Sequence, residues 1–139
     1  MKFPGKMTAA IAMTICLIAP AVGAQETKSD SIRVSRMEFC AEIEDRECKE
    51  KQSLFTNTVT RIFCFTHIEG AKEKTSVTHK WYLEDKLLAE VPLKVGSISW
   101  RTKSSKAISP EWTGKWRVEV VSADGKLLTS KEFVIEKGE

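Results

Sequence analysis

From residue 33 onward, apolar residues recur at every second position in short runs broken by turn-forming residues, the pattern of half-buried strands. Met37, Phe39, Ala41 and Ile43 alternate with Glu38 and Glu42. Residues 44–58 read as a polar loop, and residues 59–68 are apolar on both faces, as expected of a central strand covered on each side. Val77, His79, Trp81 and Leu83 share one face of the next strand, with Thr78, Lys80 and Tyr82 on the other. A turn at Glu84, Asp85 and Lys86 leads into Leu87, Ala89, Val91, Leu93 and Val95, again one face. Pro92 lacks a backbone donor and predicts that this strand lies at a sheet edge. Gly96 and Ser97 turn the chain into Ile98, Trp100, Thr102 and Ser104, and Pro110 and Gly114 bracket a loop. Trp116, Val118 and Val120 alternate with Arg117 and Glu119. Asp124-Gly125 then predicts a two-residue type I′ turn before the return at residues 127–135. About seven strands at this spacing predict an all-β fold: an immunoglobulin-like antiparallel β-sandwich forming a single domain over residues 31–136.

The residues before this pattern read differently. Lys2 and Lys6 precede an uncharged, mostly apolar stretch at 7–22, and Val22-Gly23-Ala24 has the small residues of a cleavage site, so residues 1–24 read as a secretory signal peptide. An uncleaved anchor is the alternative, but the stretch is shorter than the roughly 20 residues a spanning helix needs. Cleavage would leave no stable membrane span and export the protein, to the periplasm or outside the cell. Residues 25–30 are polar and read as a disordered lead-in. Losing Lys2 and Lys6 lowers the net charge from +3 to +1, too little basic field for nucleic acid.

Cys40, Cys48 and Cys64 follow the signal segment, giving one disulfide and one odd thiol in an oxidising compartment. Three pairings are open. The expectation is Cys40–Cys64, because both lie in apolar strand-like runs whereas Cys48 lies in a charged segment. A zinc site built on Cys64 and His67 is disfavoured, since positions three apart in a strand face opposite ways. No other metal motif and no cofactor-binding motif is present.

All four tryptophans fall between residues 81 and 116, interleaved with basic side chains. His79, Trp81, Arg101, Ser105, Lys106 and Trp112 form the candidate site for a ligand or partner. Arginine beside tryptophan suits a carboxylate- or sugar-bearing ligand. Four of them have a plainer reading: Trp81 as core, His79 as a satisfied core polar group, Arg101 paired with Glu90 or Glu119, and Lys106 as a solvated lysine.

The segments H-x-W-Y at Trp81, W-R-x-x-S-S-K at 100–106 and W-T-G-x-W-R-V-E-V-V-x-A-D-G-K-x-L at 112–128 resemble the bacterial domain-of-unknown-function family DUF2914. The likeness extends back through F-C-F-T at 63–66 and R-M-E-F-C at 36–40. Cys48 departs from it, standing where such sequences have proline. The resemblance implies an exported or membrane-associated β-sandwich and no reaction. The expected function is therefore a non-enzymatic module that binds an envelope protein or glycan. One alternative is a periplasmic hydrolase using His79 with Ser105 or a free cysteine; another is a purely structural envelope domain with buried tryptophans.

Overall fold

The computed structural model describes residues 32–138, so the expected signal segment at 1–24 and lead-in at 25–30 lie outside the described residues. Ten strands follow in order: β1 (Arg33–Cys40), β2 (Ile43–Glu44), β3 (Glu47–Cys48), β4 (Leu54–Thr56), β5 (Arg61–Glu69), β6 (Thr75–Leu83), β7 (Lys86–Val95), β8 (Ser99–Ala107), β9 (Gly114–Ser122) and β10 (Leu127–Glu136). The smaller sheet has the order β1-β5-β8, the larger β4-β10-β9-β6-β7, and β2-β3 is a separate hairpin. The seven strands of eight residues or more are the seven read from the alternation. The chain passes between sheets repeatedly, as in immunoglobulin-like sandwiches.

Strand alternation places the core between the sheets. Phe133 of β10 stands at its centre, with ring centroids 4.5 Å from Phe39, 5.7 Å from Phe55, 6.2 Å from Trp81 and 5.7 Å from Trp116. Phe39 belongs to the smaller sheet and the others to the larger, so this aromatic cluster ties the two layers together. Trp100 packs against the same core and lies over Gly96, where a β-carbon would come within 2.9 Å of its ring. Glycine there lets the indole settle on the backbone.

Four local expectations change. Residues 44–58 are not only loop: they contain β3 and β4, and Phe55 of β4 is buried in the core. β4 pairs with β10 in parallel, so the larger sheet is mixed rather than wholly antiparallel. In β7, Trp81 stands opposite Ala89 but Tyr82 opposite Leu87, so a bulge takes up Leu88. The bulge reverses the alternation, and Leu88 packs on the core while Leu87 is exposed. Finally, Gly125 has φ +89°, but Asp124 does not share a positive φ. Gly125 N donates to Ser122 O and Ser122 N to Lys126 O, giving a three-residue loop with a glycine bulge instead of a type I′ turn. The turn with two positive φ values is Asp45-Arg46, at 52° and 68°, joining β2 to β3.

Candidate functional site

The smaller sheet carries a polar cluster on each face. On the inner face, Thr66 of β5 and Ser104 of β8 point toward His79 and Trp81 of β6. His79 is fully buried, with Nδ1 2.6 Å from Ser104 Oγ and Nε2 3.2 Å from Thr66 Oγ1. Trp81 Nε1 donates to the same Ser104 oxygen at 3.1 Å. One assignment satisfies the whole set: Ser104 accepts from Trp81 and donates to Nδ1, while Nε2–H donates to Thr66. Burial without a counter-charge disfavours the imidazolium and lowers the His79 pKa to about 4. The ring is neutral at physiological pH and sealed from solvent. His79 is thus a satisfied core polar group whose partners are hydroxyls.

On the outer face the parity reverses. Cys40 and Cys64 cannot bridge, and the expected Cys40–Cys64 pairing is corrected to a Cys40–Cys48 disulfide with Cα atoms 5.6 Å apart. The reason lies in the register. Phe39 stands opposite Cys64, and both side chains enter the core, so the neighbouring Cys40 must face out. Cys64 is the free, buried cysteine among the described residues, and burial pushes its thiol pKa up. His67 also faces outward, bonded to Ser99 Oγ at 2.8 Å, so it lies on the opposite side of β5 from Cys64.

The disulfide fastens the β2–β3 hairpin beside β1 and β5, and β3 brings Glu47 between two arginines. Glu47 lies 2.8 Å from Arg36 of β1 and 2.7 Å from Arg101 of β8. Hydrogen bonds from Arg36 and then Arg101 hold its carboxyl at about 2, and the bond to Glu47 chiefly raises Arg36. The Arg36 guanidinium also stands 4.9 Å from the ring centre of Phe65, a buried residue on this outer side of β5. Arg101 therefore pairs with Glu47, not with Glu90 or Glu119. Alternation did not point to this pairing, because β2 and β3 have two residues each.

The six candidate residues divide among three places. His79 and Trp81 lie inside the sandwich. Arg101 and Ser105 lie on the outer face of β8, where Ser105 Oγ accepts from Arg61 at 2.7 Å. Lys106 and Trp112 meet at one end, with the ammonium 4.8 Å from the indole centre. Trp112 is half-buried against the core, and its carbonyl accepts from Trp116 Nε1 at 3.1 Å. Ser105 and His79 thus lie on opposite faces of the smaller sheet, and the serine that meets His79 is Ser104. Glu47, Arg36, Thr66 and Lys103 were also missing from the sequence-based set.

Residues 74–135 match the family model described as a protein of unknown function, DUF2914. This is the family that the tryptophan-containing segments resemble. The match takes in β6 to β10 and stops short of the resembling segments at 36–40 and 63–66. The disulfide hairpin and the Arg36 and Glu47 side chains therefore lie outside the matched segment, while Arg101 lies within it. No curated protein matches this chain.

Proposed function

We propose that the protein is an exported, non-enzymatic β-sandwich module that binds a partner protein in the cell envelope, using the outer side of the smaller sheet. The observation that carries the reading is the separation of reactive groups. His79 is sealed with both nitrogens occupied, Ser105 faces the other way, and Cys64 is buried with a raised pKa. A general base needs hydrogen-bond reach to a reacting proton, and these groups offer no such arrangement. The signal-like residues 1–24 and the Cys40–Cys48 disulfide support an oxidising, extracytoplasmic location. A protein partner fits better than a glycan. Trp81 and Trp116 are buried, Trp100 and Trp112 are half-buried, and Lys106 occupies a face of Trp112, leaving little aromatic platform for a sugar.

That same burial favours a second reading, a structural envelope domain. A pull-down from envelope extract with the mature protein, beside an Arg101→Ala/Lys106→Ala variant of unchanged thermal transition, separates the two. A protein retained by the wild type and lost by the variant supports binding through Arg101 or Lys106. Nothing retained by either supports the structural reading.

A further inference from the structure

We infer that the open edge of β8 accepts an acidic extended segment of the partner protein as an added antiparallel strand; this rests on the binding reading above. The first ground is backbone geometry. Gly70 N donates to Ile98 O and Ile108 N to Thr60 O, at the two ends of the β5–β8 register. Hydrogen-bonded and non-bonded pairs alternate along an antiparallel ladder. Trp100, Thr102, Ser104 and Lys106 therefore bond to β5, while Ser99, Arg101, Lys103, Ser105 and Ala107 turn their N–H and C=O groups away. Among the described residues β8 pairs only with β5, so those outward groups line an edge.

The second ground is how the other edges differ. β7 carries Pro92 and the Leu88 bulge, β1 is irregular between Val34 and Arg36, and β4 has three residues. Each feature blunts strand addition. β8 pairs with β5 through nine residues without a register shift and contains no proline. It is the longest regular edge among the described residues.

The third ground is charge. Arg101, Lys103 and Lys106 lie on β8 with no acidic residue in the strand. Glu47 meets Arg101, but Lys103 makes no ion pair among the described residues. Two copies joined antiparallel about Lys103 would set Lys103 against Lys103 and leave both strands basic, which opposes self-pairing. An acidic strand reverses the sign of every such cross-strand term. Basic side chains here discourage edge-to-edge dimerisation while favouring a partner of opposite charge.

The test is an array of extended synthetic peptides, valine or threonine alternating with glutamate, serine or lysine, probed with the mature protein. Three proteins are compared: wild type, Lys103→Glu and Lys103→Pro. The Lys103 amide is not bonded to β5, so proline removes an edge donor and leaves the ladder intact, which a retained thermal transition verifies. The glutamate series should bind at least ~10-fold better than the lysine series, weaken or invert with Lys103→Glu, and be lost with Lys103→Pro. Absence of binding to the glutamate series, or binding untouched by Lys103→Pro, overturns the inference. The envelope pull-down repeated with Lys103→Pro isolates the cause of failure. A protein retained equally by wild type and Lys103→Pro overturns the edge and leaves the binding reading standing; nothing retained, with a blank array, overturns both.

Discussion

The two faces of the smaller sheet hold polar clusters of similar size and opposite physics. Inside, Thr66, His79, Ser104 and Trp81 are neutral, buried and mutually satisfied. Outside, Arg36, Glu47 and Arg101 are charged, with side chains about a third exposed or more. Losing a partner inside strands a polar group away from water, whereas losing one outside lets water replace it. The difference separates residues that hold the fold from residues whose loss water can offset, although β8 contributes to both sets.

The comparison breaks most sharply at Trp81. Trp81→Ala removes a buried ring and the donor to Ser104, and should cost about 3–5 kcal/mol in urea unfolding. Acid gives the next effect. His79 stays neutral when folded, so the unfolded chain binds more protons below 6.5; its contribution is full above 6.5 and is lost as pH falls toward about 4. The difference corresponds to roughly 3 kcal/mol, read as a drop in urea midpoint across that window that His79→Gln should flatten. On the outer face, Cys40→Ser/Cys48→Ser opens a short loop and should cost about 2–3 kcal/mol. The fold should persist with the hairpin loosened, seen as faster amide exchange at 43–48. Ser104→Ala leaves His79 Nδ1 and Trp81 Nε1 without their partner and should cost about 1–3 kcal/mol, against near zero for Ser105→Ala. Smallest is Glu47→Gln, where thermal scans should shift little. Its carboxylate is stabilised when charged, so that contribution is present above 4.5 and fades as pH falls toward about 2, below the His79 window.

Much of this contrast was legible in the alternation. Period two placed His79, Trp81 and Ser104 inward and Arg101 and Lys103 outward, and Pro92 marked β7 as an edge. It failed where register decides. The facing of Cys40 away from Cys64 follows from the β1–β5 pairing, which no single strand reveals. Leu87 and Leu88 exchange roles because a bulge shifts the phase between them. Glu47 was invisible because a two-residue strand has no period, and its meeting with Arg101 joins residues distant in the chain. The candidate set scattered for the same reason: residue types that suit a ligand were grouped by sequence nearness, while the pleat sends neighbours to opposite faces.

Residue-resolved amide hydrogen exchange along β8 in the free protein tests the central claim, a smaller sheet sealed within and open along its β8 edge. The amides of Thr102, Ser104 and Lys106 should be protected close to the global unfolding limit, with those of Arg101, Lys103 and Ser105 exchanging at least ~100-fold faster. Protection of the second set equal to the first would mean that the edge is covered and would contradict the account.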